Sequence, residues 1–578
     1  MLPNMVEILI YLSIGVMIHL CGELVSRWIK KLGVTVEVIC AFVAVGFVFY
    51  MYDFPDGFMY IAFISSGWTA AFSLTYGEAK YRELKQELNQ VSVEQIKVTR
   101  NISRIFLDVG FAFVVFAGAI LFLLYGPEAS PLKFIIAYGM LSAVTVMIKR
   151  IITYSHVKLY YFEDDQASIF IVSRLDSRKF PIADLQAVTM ESAVDILKLH
   201  PFFTLFTSNT DFTTSFQRVL KLQFPGETVY LTIKQVEEWK ALLEEQIPLE
   251  NISDEQVTVF PFYHKKNIKR LLGKLYFAMT VKGISAYTGV LLLLYFLKAP
   301  VLVMFCFAIL FWLFNLYISD RVLKIAMDAK VTNNPDVIKA AQRVFTKAGI
   351  PKVTVYETES AQYNGLATGM NIGRSMVTLT TATLKLPIEV IEGILAHEAV
   401  HVKKHDVLWG QLCNVAFLSS YLGVMLFIID QVTDLESILI LLFFIIWFVM
   451  IMFPVYQSFY SQWMEVRADH LGATYLEGGT EQMAKSLATL ATKQDQDLKK
   501  TFEYSAVKNE KILKESSLDR SPWLMRLLEF QMMPHPPMYW RVNVLANYHF
   551  TWGKGIRRRW FIDRFKESFF IRRKLKAR

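Results

Sequence analysis

Cysteine is scarce in this chain, with four in 578 residues, and that scarcity excludes a disulfide scaffold. Cys21, Cys40, Cys306 and Cys413 all fall in apolar stretches and read as small hydrophobes buried in lipid-embedded helices. Charge is scarce as well. Only 20% of residues are charged against 54% apolar, where a soluble protein carries about a quarter charged. Proline occupies 18 positions and phenylalanine 45, a balance that excludes disorder, collagen and coiled coil as the main organisation. The serine-hydrolase pattern GxSxG is absent, and no serine or cysteine nucleophile stands out.

What the chain does have is long apolar runs, and its mean hydropathy is +0.34. A membrane span needs about 20 largely apolar residues. Nine segments qualify: 6–25, 34–53, 57–77, 105–126, 132–150, 279–297, 299–318, 409–430 and 436–456. Met1 to Glu7 lacks the basic start of a signal peptide, so the first run is expected to be a span. Basic residues cluster in alternate loops: Arg27, Lys30 and Lys31; Lys80 to Arg100; Lys149 and Arg150; Arg321 and Lys324. This bias predicts an external N-terminus and cytosolic segments at 151–278, 319–408 and 457–578.

The expected organisation follows from those boundaries. Residues 1–150 form a five-span domain. Residues 151–278 form a β-rich insert with a basic linker, and 279–318 a membrane hairpin. Residues 319–408 and 457–553 are two halves of one soluble domain, divided by a second hairpin at 409–456. Residues 554–578 are a separate basic amphipathic tail. Within the insert, 152–245 reads as short strands closed by a helix, an order that resembles barrels of the pleckstrin-homology type. The tail holds 11 Lys or Arg against Asp563 and Glu567, with five aromatic residues interleaved. That pattern predicts binding to anionic lipid and not to nucleic acid.

The chemistry is concentrated at His397-Glu398-Ala399-Val400-His401. Residues four apart share a helix face, so both imidazoles can reach one ion, and Glu398 is placed to act as a general base on water. Zinc hydrolases use three protein ligands and leave one position open. Glu465, with Asp469 four residues on, returns after the second hairpin on another helix and can complete the set. His405 is the rival third ligand, but three ligands from one straight helix would lie along a line. Asp469 can accept a ligand ring proton or hold the helix pair together. The spacing also predicts one continuous helix from Pro387 through His401 to Trp409. His401 and Glu465 would then stand at similar heights, about 12–13 Å beyond their spans.

Four motifs in this order resemble the M48 metallopeptidases, especially the bacterial HtpX-like membrane group. They are Asn364 to Gly369 with Arg374 to Thr381, then HEAVHVKKHD from His397, then EVRADHLGA from Glu465, then the HPP element from His535 to Val542. Met464 and Lys404 stand where relatives commonly have Arg and Asn. The resemblance implies a multi-pass α-helical membrane protein with a cytosolic α+β zincin-like domain. It implies one zinc per chain on His397, His401 and Glu465, with Glu398 as base. Asp469 would steady a ligand and pair with Arg541, and His535 would hold the developing oxyanion. Asn364 would place a loop beside an edge strand, 375–381, where Ser375, Met376, Val377 and Thr378 pair with an extended peptide. The implied activity is zinc endopeptidase, acting on membrane proteins or unfolded polypeptides in quality control at a bacterial cell membrane. Self-association is left open. Two rival readings are a catalytically inactive scaffold or sensor derived from a peptidase, and a transporter. A scaffold has no need of Glu398. A transporter would carry charges deeper in its spans than Asp108 and Lys282 lie.

Overall fold

The computed structural model describes residues 4–126, 132–163, 167–206, 208–247, 256–282, 290–291, 293–294, 297–368, 375–431, 439–507, 516–548 and 552–570. It opens with helices α1 (Met5–Ser26), α2 (Lys30–Met51) and α3 (Phe54–Thr75). Gly15 and Gly67 let α1 and α3 touch backbone to backbone. A Cβ on Gly15 would lie 1.9 Å from the Ile64 carbonyl, and one on Gly67 2.1 Å from that of Leu12. Close approach through small residues is how helices associate where no water drives them together. After α4 (Glu78–Leu88) and strand β1 (Glu94–Ile96) come α5 (Ile102–Tyr125) and α6 (Leu132–His156).

Among the described residues seven helical segments are long and apolar enough to cross a membrane. They match seven of the nine expected spans. The expected span 279–297 lies largely outside the described residues. That at 436–456 begins outside them and continues as the first part of a 35-residue helix. Large apolar side chains on these helices, such as Phe42, Phe113 and Phe448, point outward, as lipid-facing residues do.

The insert follows α6. Strands β2 (Lys158–Phe162), β3 (Ser168–Val172) and β4 (Arg178–Pro181) pair with β1 in the order β1-β2-β3-β4. Strand β5 (Ala187–Glu191), the short helix α7 (Ile196–Leu199), β6 (Asn209–Phe212), β7 (Val219–Phe224), β8 (Glu227–Leu231), helix α8 (Val236–Glu244) and β9 (Gln256–Val257) complete it. Its second sheet runs β6-β8-β7-β5-β9. The alternating runs of the sequence become β2, β3, β7 and β8. β1 comes from the loop between spans, three residues too short to show a period. The insert is bound to the span feet by ion pairs. Arg104 on α5 reaches Asp108 and Asp211, both at 2.6 Å, and Arg150 on α6 reaches Asp211 at 3.0 Å.

Helices α9 (Ile268–Phe277) and α10 (Val301–Ala326) lead to the second soluble region. It contains β10 (Lys330–Val331), α11 (Pro335–Ala348), β11 (Thr354–Thr358), β12 (Gly365–Thr368), β13 (Met376–Thr380) and α12 (Ile388–Lys404). Val337, Ala340, Ala341, Val344 and Phe345 on α11 are buried against the sheet and α12, the face that their spacing predicts. Then come α13 (Asp406–Asp430), α14 (Leu439–Ala473), α15 (Gly479–Ser505), α16 (Trp523–Gln531), α17 (Met538–Asn547) and α18 (Lys554–Phe569).

Three expectations are corrected. The helix from Pro387 does not continue to Trp409. It ends at Lys404, and His405 takes a left-handed conformation, φ 53°, before α13 begins. The height argument therefore fails on the His401 side. The strand at 375–381 is not an edge either. The sheet order is β10-β11-β13-β12, with β13 between a parallel β11 and an antiparallel β12. Met376, Val377 and Thr378 cannot receive a peptide strand there, because both sides of β13 are taken, and Ser375 stands just before the strand. The outer strand on that side is β12. Finally, the described part of the basic segment 554–578 is not a separate tail, and residues 571–578 lie outside the described residues. Residues 554–569 form α18, which packs on α16 and α14 through Ile556 and Trp560.

Candidate metal centre

The site is built where α12 crosses α14. Val390, Ile391, Ile394 and Leu395 bury one side of α12 in the core. Gly472 permits the crossing, since a Cβ there would lie 3.0 Å from the Ala396 carbonyl. The close approach brings Glu465, two turns earlier on α14, to the histidine face of α12.

His397, His401 and Glu465 each offer an atom within 4.8 Å of the others. The two imidazole Nε2 atoms are 3.0 Å apart. Glu465 lies 3.3 Å from each, through Oε2 to His397 and Oε1 to His401. The other ring nitrogens meet carboxylates: His397 Nδ1 lies 2.9 Å from Asp469 Oδ1, and His401 Nδ1 2.8 Å from Asp406 Oδ2. An ionised carboxylate only accepts, so each Nδ1 carries a proton, and each ring when neutral turns its Nε2 lone pair inward. Two lone pairs and a carboxylate converging in a buried space repel unless a cation lies between them. The donor set, two imidazoles and a carboxylate with carboxylates behind both imidazoles, suits zinc.

Without a metal, the same convergence draws protons onto the imidazoles. Burial would lower the His397 pKa, but Glu465 and the bond to Asp469 push it up to about 9. His401 is likewise raised well above its usual range against burial, by Asp406 and Glu465. Glu465 is held well below the carboxylate range, its burial outweighed by His535 and His397. Asp469 is held at about 2 because Arg541 outweighs its burial. Arg541 on α17 grips Asp469 with two bonds, Nε to Oδ2 at 2.8 Å and an Nη2 bond to Oδ1 at 2.7 Å.

Glu398 is buried beside the cluster, and its Oε2 accepts the Ala367 N–H at 2.7 Å. This bond ties the carboxylate to β12. Gly365 allows the strand to run so close, since a Cβ there would lie 2.8 Å from Ile394 Cγ2 and 3.4 Å from Glu398 Oε1. His535 stands at the mouth, 62% exposed, with Nδ1 3.0 Å from Glu465 Oε2. Asn364 acts through its backbone: its N–H donates to Thr383 Oγ1 at 2.8 Å and its carbonyl accepts the Thr380 N–H at 3.1 Å.

All the expected metal, base and supporting residues thus meet in one place. Ser375 to Thr378 do not line it as an edge. Sequence reasoning missed Asp406, which also accepts from Arg467 on α14. A residue five positions after His401 would face away on an unbroken helix. The left-handed turn at His405 swings Asp406 back, and the only sequence sign was an Asp after a His-rich helix end. Also missed was the insert's contact with the sheet beside the site. Leu205 and Phe206 pack against the cluster of Met327, Ala329 and Met376, and Lys198 Nζ lies 2.6 Å from Glu359 just after β11.

Residues 332–549, which include every residue of this cluster, match the model of peptidase family M48. The site lies in an M48-type region. Residues 158–247 match the model of a bacterial PH domain, in line with the barrel-like order of strands. Protease HtpX homologs from several organisms are similar over parts of the chain. That of Pelotomaculum thermopropionicum is 34% identical over 119 residues, 20% of this chain and 42% of the relative. That of Methanocaldococcus jannaschii is 33% identical over 96 residues, 16% and 34%. Protease HtpX homolog 1 of Streptomyces coelicolor is 31% identical over 160 residues, 27% and 50%. The chain spans between about a third and a half of these relatives' length. The M48-type region, the His-His-Glu cluster and the apolar helices together make this a membrane-embedded protein with a metallopeptidase-like site.

Proposed function

We propose that this protein is a zinc-dependent endopeptidase that hydrolyses membrane proteins or unfolded polypeptides near the membrane surface, in the quality control of bacterial membrane proteins. The observation that carries the reading is the convergence of His397, His401 and Glu465, with both imidazoles oriented by carboxylates and Glu398 alongside. One zinc per chain would be held by those three residues. When bound, it supplies a Lewis acid for the scissile carbonyl and lowers the pKa of water. Glu398 takes the proton of the attacking water and later passes it to the leaving amine. Its bond to Ala367 keeps the carboxylate aimed while it does so. His535, exposed at the mouth, donates to the oxyanion that develops on the substrate. Arg541 and Asp469 hold His397 in place. The substrate adds in extended form to the outer side of β12, whose Ala367 joins strand to base. The active site faces the cytosol of a bacterial cell, where the Lys and Arg of alternate loops place the soluble regions.

The test is Glu398→Gln, which preserves size and removes the base. The variant should keep its zinc and its peptide binding while hydrolysis of a quenched, membrane-tethered peptide falls at least about 100-fold. A zinc-loaded variant cleaving at the parent rate would refute the assignment. A zinc-loaded parent with no activity on any unfolded substrate would favour the scaffold.

A further inference from the structure

Helix α18 turns two different stripes to two different surroundings. Its inner stripe is tied into the M48-type region. Arg564 is 2% exposed, and its Nη1 donates to Gln462 Oε1 at 2.9 Å. Glu567 accepts from Arg520 Nε at 2.8 Å, and the Ser568 carbonyl accepts from Trp523 Nε1 at 2.8 Å. The helix is therefore a built part of the domain.

The outer stripe is a row of aromatic rings in mutual contact. Phe561 and Phe565 lie 5.0 Å apart and Phe565 and Phe569 6.1 Å apart between centroids. The row begins on α14, where Phe459 lies 6.4 Å from Phe561. These four side chains are between 42% and 58% exposed. Phe459 in turn continues the outward stripe of Phe444, Phe448 and Ile451 along the apolar part of α14. The outward apolar stripe of α14 thus resumes at Phe459, past Pro454, and passes onto the outer face of α18. Lys554, Arg557, Arg558 and Lys566 are exposed along that helix. Aromatic rings beside basic side chains, at the point where a span leaves the bilayer, match the boundary between acyl chains and anionic headgroups.

We propose that α18 is an interfacial helix seated on an anionic leaflet. Phe561, Phe565 and Phe569 enter the acyl boundary, and the four exposed cations meet lipid phosphates. Gln462, which holds Arg564, is one turn before Glu465 on α14, so the seat sets the height of the metal centre above the membrane. The inference rests on the spanning of α14 and not on peptidase activity, and its test reads no activity.

The full-length chain, with its four cysteines replaced by serine and Phe565→Cys carrying an environment-sensitive fluorophore, is reconstituted in nanodiscs. One set contains phosphatidylcholine alone and the other phosphatidylcholine with phosphatidylglycerol. Lys485→Cys on α15 is the reference, and Phe569→Cys is a second reporter should the first fail to fold. Shallow doxyl-lipid quenchers should quench the α18 probe at least about threefold more than the reference, and more in anionic discs. Lys554→Ala, Arg557→Ala, Arg558→Ala and Lys566→Ala together should abolish the difference between the two compositions. Equal quenching at positions 565 and 485 overturns the seat. Equal quenching in neutral and anionic discs overturns the role of the cations. Shielding from aqueous quencher without lipid quenching assigns the row to a protein partner and overturns the proposal.

Discussion

Asp406 lies beyond the end of the helix that carries His401, yet its Oδ2 is 2.8 Å from His401 Nδ1. The left-handed turn at His405 between them makes the contact. Asp406 and Asp469 therefore play matching parts, each fixing the tautomer of one imidazole, one from a helix break and one from a second helix.

That symmetry predicts the effect of Asp406→Asn. The amide keeps the shape but no longer favours a protonated Nδ1, so His401 loses its enforced tautomer. Zinc affinity should fall about 10- to 100-fold, the usual cost of removing a partner behind a ligand. Competition with a chromogenic chelator measures it. Unchanged affinity would mean that Asp406 serves only its pair with Arg467.

The ligand set makes a stricter prediction. Purified protein should hold one zinc per chain, and the combined change of His397, His401 and Glu465 to Ala should remove it. Elemental analysis of the detergent-solubilised protein reads this directly. Stoichiometric zinc in the triple variant would place the metal elsewhere.

The metal-free site should also leave a mark on stability. His397 is pushed up to about 9 from an ordinary value near 6.5, so the folded state keeps a proton that the unfolded chain releases first. The resulting stability is fully present below about pH 6.5 and is lost as pH rises through about 9. Its size is up to about 3 kcal/mol. Asp469, held at about 2, works in the opposite sense: its contribution is present above about pH 4 and lost as pH falls through about 2. Chelator-treated protein should therefore melt at lower temperature with each step from pH 6.5 to 9. Zinc-loaded protein should not, since the metal takes the proton's place. A flat profile for the metal-free form would contradict the convergence of charges.

Topology can be tested without any activity. Reporters fused after Lys31, Arg100, His264 and Arg321 should read as cytosolic, and those at Pro55, Gly126 and Val432 as external. The basis is the Lys and Arg distribution. A cytosolic signal at Val432 would break the hairpin that carries the chain from α13 back to α14, and with it the membrane course proposed between His401 and Glu465.

The pieces whose signal is local are legible in the order of residues alone. Apolar runs of span length, the histidines one turn apart on α12, and Glu465 one turn from Asp469 on α14 all follow from periods of a single helix. The strands β2, β3, β7 and β8 show as alternation for the same reason. The rest emerges on folding, because each remaining feature depends on a neighbour distant in the chain. One left-handed residue, His405, redirects Asp406 toward His401, and nothing in the local pattern marks it. Whether β13 is an edge depends on β12 and β11 pairing to its two sides, since alternation along a strand says nothing about what hydrogen-bonds beside it. The basic composition of residues 554–578 reads as a free amphipathic helix, yet Arg564 is buried because Gln462, more than a hundred residues earlier, offers an acceptor in the groove where Trp560 packs. Composition records how many charges a segment holds, but packing assigns each one to water, to lipid or to the core.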